Sequence, residues 1–322
     1  MFKALCPFLL FVFIFSGGCR FASLSDVDGE RPGTCAYCAA GETVRGALLG
    51  TRFRSLDELK SVIEIHYVNE EGADTETAGA YISHCSNGLV VHCALTAGVS
   101  QGDIWNARYD KSGRGWMSRL TLLFRAPWVV RNRGDLQRAY TLSRWRPEWF
   151  GEGDVAFYDL AKATAQNINT AALAFKNERD STEKGYLNSF NHIGAQAFIT
   201  SIFSEEMADF IADAHERYSH PELLTGQFTE KQIADLNEGP VDNYVDLINN
   251  EWGQQLGKQL KAKFHISRET VWTPALLACY LNALQSYYSW AFQTGFKPFR
   301  PEDEIVIKFS AKLQKVMGDV RG

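Results

Sequence analysis

From about residue 153 onward, apolar residues recur three and four positions apart, the spacing that lines one face of an α-helix. Residues 154–177, 185–203, 204–218, 229–237, 240–264 and 273–292 carry this period and are predicted helices. Two starts have a physical cause. Ser204 before Glu205 and Glu206 caps a helix and places acids in its first turn, and Pro240 suits a first turn, where its missing N–H is not needed. Upstream the pattern is shorter. Ser55 to Leu59 suits a short helix, whereas 62–68, 88–96, 103–109 and 116–124 are rich in β-branched and aromatic residues and lie between turn formers such as Ser86-Asn87-Gly88. These four are predicted strands, although short apolar runs do not separate strand from helix by period alone. The expected fold is α+β and predominantly α-helical. A mixed, disulfide-bearing N-terminal region over 46–150 precedes a helical domain over 151–322.

The first residues follow other rules. Lys3 is followed by an uncharged run over 5–15, well short of the roughly 20 residues a spanning helix needs. Small residues Ser16, Gly17 and Gly18 then precede Cys19. This order reads as a signal peptide over 1–18. Its end resembles a bacterial lipobox, with Ser16 where leucine is usual. That resemblance implies cleavage before Cys19, acylation of its thiol, and a lipidated tether over 19–45 that holds the protein to an envelope membrane surface. Ordinary cleavage after Gly18 or Ala22, giving a secreted protein, is the alternative. A net charge of -5 gives no electrostatic reason to expect a nucleic-acid partner. The most apolar later segment, 274–292, is interrupted by Asn282, Gln285 and Ser286, which suits a buried helix better than a lipid-facing one.

There are seven cysteines. Cys6 leaves with the leader. Cys35 and Cys38 form a C-x-x-C, while Cys85 and Cys93 each follow a histidine, His84 and His92. Four thiolates suit tetrahedral zinc, but an oxidising compartment favours two disulfides among Cys35, Cys38, Cys85 and Cys93, with three pairings open. The same context weighs against a cysteine nucleophile next to either histidine. Cys279 sits in an apolar helical pattern and reads as a small buried hydrophobe. The run 125–146 holds six arginines with Trp128 and Trp145. It reads as a solvated face, with lipid head groups or glycans as the alternative contact.

The candidate chemistry lies on three predicted helices. Asn188 and His192 are four apart, His215 and Glu216 end the second helix beside Asp213, and the third carries Asp246, Asn249, Asn250 and Gly253 on one face. Val245, Ile248, Trp252 and Leu256 form a separate apolar stripe on that helix. Asn is a weak helix former and an interior Gly costs about 1 kcal/mol relative to Ala, so this polar face has a cause outside helix stability.

The three blocks resemble an uncharacterised bacterial family, domain of unknown function 6973. Its pattern is N-x-x-R-H, then H-E, then D-x-x-N-N-x-x-G. The likeness covers about 185–260, with Asn191 where the family has arginine. It implies a compact helical domain, often exported, and no established reaction.

Two readings follow from the residues. In one, His192, His215, Glu216 and Asp246 converge as the catalytic groups of a hydrolase. His192, His215 and Asp246 are then candidate ligands of a divalent metal, and Asn188, Asn249 and Asn250 bind substrate. Gly253 admits a close neighbour. In the other, the same residues form a structural hydrogen-bond network in a non-catalytic binding or scaffolding protein. No H-E-x-x-H zinc motif is present, since Arg217, Tyr218 and Ser219 follow His215-Glu216.

Overall fold

Ser55 accepts a hydrogen bond from the Glu58 amide and so caps α1 (Leu56–Lys60). The computed structural model describes residues 46–68, 78–96, 126–170 and 174–318. The leader, Cys19, the tether with Cys35 and Cys38, and the strands expected over 103–109 and 116–124 lie outside them. Strands β1 (Ile63–Val68), β2 (Gly79–Ser86) and β3 (Leu89–Thr96) form an antiparallel sheet in that order. Ile82 sits opposite both Ile65 and Cys93. The β2–β3 turn uses Asn87 and Gly88, both with positive φ, as a two-residue hairpin of this hand requires.

Apart from short 3₁₀ and π turns, α-helices make up the remaining described elements. They are α2 (Pro127–Arg131), α3 (Arg133–Ser143), α4 (Pro147–Phe150), α5 (Phe157–Gln166), α6 (Asn188–Ile202), α7 (Glu205–Ser219), α8 (Glu230–Ala234), α9 (Pro240–Lys263), α10 (Pro274–Phe292) and α11 (Glu304–Gly318). Their caps match the chemistry of the chain: Ser204 accepts from the Met207 amide, Thr273 from the Leu276 amide, and Pro240 opens α9. The sheet and the helical majority give the α+β, mainly helical architecture.

Residues 126–150, part of the expected mixed region, contain only helices among the described elements. Pro127 and Pro147 each start one, and Leu136, Ala139 and Leu142 bury a face at three-residue spacing. The helix expected over 154–177 ends at Gln166, where Ile168 bridges to Phe296.

α9 is the axis of the fold. Val241, Tyr244, Val245, Ile248 and Trp252 pack with the sheet residues Ala80, Ile82, Val91, Cys93 and Leu95. Further along, Leu256 and Leu260 enter a helical core with Phe198, Tyr280 and Phe309. The expected apolar stripe thus divides between two cores. Removing a buried aromatic such as Trp252 from such a junction costs about 3–5 kcal/mol. No described helix is long and apolar enough to cross a membrane.

The expectation of two disulfides among four cysteines needs correction. Cys93 is a free, buried thiol whose Sγ lies 3.7 Å from Asp213 Oδ1. It faces inward on β3, toward the helices, whereas Cys85 is on the other face of the sheet by strand alternation. Cys279, expected to be buried, is exposed.

Candidate functional site

The site is set by how α6 meets α9. Lys184 donates to Asp242, Asn188 to Asp246, His192 faces Asn250, and Gln254 donates to Gln196; each pair is 58 residues apart. A constant offset means that the two segments run parallel and in register, with a polar rung at every turn. Beside this column lies a column of small residues. A Cβ on Gly253 would sit 2.7 Å from the Ile193 carbonyl oxygen, and one on Gly257 2.7 Å from that of Ala197. Glycine is required there because the backbones touch.

α7 lies against the same side of α9 in the opposite direction, with Glu205 paired to Lys258 and Asp209 bonded to Gln254. Its inward positions are Asp209, Asp213 and Glu216, spaced four and three apart, and His220 follows just past its C-terminus. The three helices therefore enclose a polar trough over α9.

At its centre both carboxylate oxygens of Asp246 are engaged. Oδ1 accepts from Asn188 Nδ2 at 2.8 Å, and Oδ2 lies 3.4 Å from His192 Nε2. His192 Nδ1 is 2.9 Å from Asn250 Oδ1, which as an acceptor fixes the proton on Nδ1. The side chains are 20% and 10% exposed, so the pair sits at the lip of the trough. Burial pushes the Asp246 carboxyl up to about 7; His192 and Asn188 pull it back, while Asp242 and Glu216 push it further. Burial works against the charged form of His192, but Asp246, Glu216 and Asn250 outweigh it and hold the imidazole above its ordinary value. Both groups favour holding a proton, and they face each other across 3.4 Å, so their titrations are coupled.

The other candidates fall in different places. Glu216 is buried and acts on the pair through its charge. Its nearest partner is His220, at 3.7 Å, an ion-pair distance rather than a hydrogen bond. His215 does not join them. It is exposed, because neighbouring residues on a helix point about 100° apart and the α7 face that meets α9 takes Glu216. The metal trio His192, His215 and Asp246 is therefore not assembled. Among the described residues no group of three or more His, Cys, Asp or Glu side chains is arranged to hold a metal ion.

Asn249 also points elsewhere. It is fully buried, with Oδ1 accepting from the Leu48 amide and Nδ2 donating to the Leu48 carbonyl, both at 2.6 Å. Ser189 donates to the same carbonyl. Asn249 is thus a clasp on an incoming backbone, fully buried and out of reach of a substrate. Asn188 and Asn250 do line the trough, each bound to one member of the pair.

Sequence reasoning missed Lys184, Asp242 and His220. Asp242 is buried, and one of its oxygens has no partner while the other takes Lys184. Burial raises its carboxyl and Lys184 opposes the rise. The signal was present, since Lys184 and Asp242 continue the four-residue ladder by one turn.

A second acidic group lies further along α9. Burial pushes the Asp213 and Glu251 carboxyls well up, with Asp209 adding to both, and the Cys93 thiol is raised by burial and by Asp213. A thiol held protonated in this way is a poor nucleophile.

No family model matches the chain, and no curated protein or solved structure matches it.

Proposed function

We propose that the chain is an exported, lipid-anchored envelope hydrolase in which the Asp246–His192 pair takes a proton from water and returns it to the leaving group. One observation carries this reading: a buried carboxyl, which its surroundings push up to about 7, faces a partly exposed imidazole across 3.4 Å. A group that binds and releases a proton at working pH is what general acid–base catalysis needs. Glu216 keeps the pair proton-rich, and Asn188 and Asn250 orient it. Neither a divalent metal nor His215 has a part in this scheme. Acylation at Cys19 would hold the trough near the membrane. Mass spectrometry of the mature protein tests that part: an unmodified chain beginning elsewhere removes the anchor.

A panel of chromogenic esters, phosphodiesters and glycosides tests the activity. Hydrolysis by the parent with a bell-shaped pH profile, lost at least a hundredfold in both His192→Ala and Asp246→Asn, supports the reading. The general acid–base contribution itself is of that order, about 10²–10⁴-fold. Activity that survives both changes contradicts it.

A second reading has its own observation. Both ring nitrogens of His192 face protein acceptors, and Asn249 is consumed by the Leu48 backbone. On that reading the ladder fastens α6, α9 and the incoming chain in a non-catalytic scaffold. His192→Ala then costs about 1–3 kcal/mol of stability, with no activity to lose.

A further inference from the structure

The segment that Asn249 clasps is built into the site from behind. Gly46 to Gly50 are all buried. Leu48 enters the core between the sheet and α9, while Ala47 and Leu49 enter the helical core. The backbone is met by side chains. Gly46 N–H donates to Ser86 Oγ at 2.8 Å, Leu48 N–H donates to Asn249 Oδ1, and the Leu48 carbonyl accepts from Asn249 Nδ2 and, at 3.0 Å, from Ser189 Oγ. Just beyond, Arg52 donates to Asp180 and, at 2.8 Å, to Tyr186 Oη.

The residues that grip this strap are neighbours of those that hold the acid–base pair. Ser189 follows Asn188, which donates to Asp246, and Asn249 precedes Asn250, which faces His192. One turn of α6 and one turn of α9 therefore carry the strap on one side and the pair on another, because adjacent helical residues point about 100° apart. At Asp242 the two meet in a single side chain. A Cβ on Gly50 would lie 2.9 Å from Asp242 Oδ1, the buried oxygen without a hydrogen-bond partner, while Oδ2 takes Lys184 at 3.0 Å. Glycine at position 50 leaves that carboxylate in place. Asp242 in turn acts through its charge on both Asp246 and His192.

Withdrawing the strap would strip Asn249, which is fully buried, of both its Leu48 bonds, and Ser189 of its carbonyl. Buried polar groups do not stay unpaired at little cost. The two helices would have to turn or admit water, and either change moves Asn188 and Asn250 with them.

We propose that Gly46–Gly50 is a positioning strap, which holds α6 against α9 from behind and so fixes the distance and burial of the Asp246–His192 pair. Gly50 and the Leu48 peptide groups transmit its position. Its catalytic consequence rests on the acid–base reading of the trough; its effect on the pair does not.

The test compares the parent with Gly50→Ala, Ser189→Ala and Leu142→Ala. The first pushes on Asp242, the second removes one donor to the Leu48 carbonyl, and the third removes core packing on α3, outside the strap and the ladder. The chain labelled at histidine is titrated by NMR, with the His192 signal assigned from His192→Gln. In the parent the imidazole should titrate above 6.5. Its midpoint should fall toward that value in both strap variants, by roughly half a pH unit or more in Gly50→Ala, as partner charges recede. Leu142→Ala should leave it in place. Any hydrolysis found in the chromogenic panel should fall roughly tenfold or more in Gly50→Ala, since small misplacements are costly at reacting groups. If Gly50→Ala does not fold, judged by circular dichroism, Ser189→Ala decides. A His192 midpoint that stays at the parent's value in the folded strap variants overturns the proposal. So does one that Leu142→Ala moves as far, or a parent midpoint already at its ordinary value. A parent without activity whose His192 midpoint follows the strap removes the hydrolase and leaves the strap. An active parent whose rate and midpoint ignore the strap removes the strap and leaves the hydrolase.

Discussion

Acidification should strike first at His84. This residue of β2 is almost fully buried between the sheet and α9, where its Nδ1 accepts the Trp252 indole N–H at 3.0 Å. An indole nitrogen only donates, so Nδ1 must be bare and the single proton lies on Nε2, which has no partner. Protonating the ring would place a charge in an apolar core and a hydrogen against the Trp252 hydrogen. Burial accordingly lowers the pKa from 6.5 to about 4. At about 1.4 kcal/mol per pH unit, that difference is worth ~3 kcal/mol of stability. The sign follows from the depressed value. The unfolded chain takes up the proton first, so the contribution is complete above 6.5 and is lost as pH falls from 6.5 to 4. Urea unfolding of the parent and of His84→Leu at several pH values isolates the effect, because every other titrating group is common to both. At pH 7.5 the variant is expected to be about 1–3 kcal/mol less stable, since Trp252 loses its acceptor. Between pH 6.5 and 4 the parent should lose ~3 kcal/mol more than the variant. A stability gap that does not change with pH would refute the reasoning.

Three further outcomes follow from the packing. Asn249→Ala should remove both bonds to Leu48 and cost about 1–3 kcal/mol, and it should release the residues around 46–50 to limited proteolysis; unchanged cleavage would contradict the clasp. Gly257→Ala places a methyl group 2.7 Å from the Ala197 carbonyl and the Thr200 Cβ, and should lower the urea midpoint by an equivalent of about 1–3 kcal/mol through separation of α6 and α9. A neutral result would mean that the helices do not touch there. A thiol reagent should modify Cys279 rapidly in the native protein and reach Cys93 only after unfolding, and equal native rates would place Cys93 at the surface.

The sequence made the long helices visible because their causes are local. Ser204, Thr273 and Pro240 mark starts by their own chemistry, and the apolar period of 240–264 reports burial directly. It also exposed the unusual face of α9, since Asn249, Asn250 and Gly253 oppose helix propensity. What it left unresolved is which neighbour each polar residue meets. Asn249 and Asn250 are adjacent, yet one clasps the Leu48 backbone and the other holds His192. His215 and Glu216 are likewise adjacent and part between solvent and core. These outcomes depend on helix rotation, which no spacing within one segment fixes. The strand β2 was missed for a related reason: Gly79, Ser83, His84 and Ser86 weaken its pattern, and its burial comes from pairing on both sides. Lys184 and Asp242 become part of the ladder only once two segments 58 residues apart are known to run in parallel.

Whether Asp246 and His192 share a proton near neutral pH can be read directly. Carbon-13 chemical shifts of the Asp246 carboxyl, followed by NMR from pH 4 to 9 in the parent and in His192→Gln, report its titration. A main step near 7 is expected in the parent, coupled to the imidazole, and a higher value in the variant, where the attraction of His192 is gone. A carboxyl that titrates at its ordinary value near 4 and does not respond to the loss of His192 would contradict it.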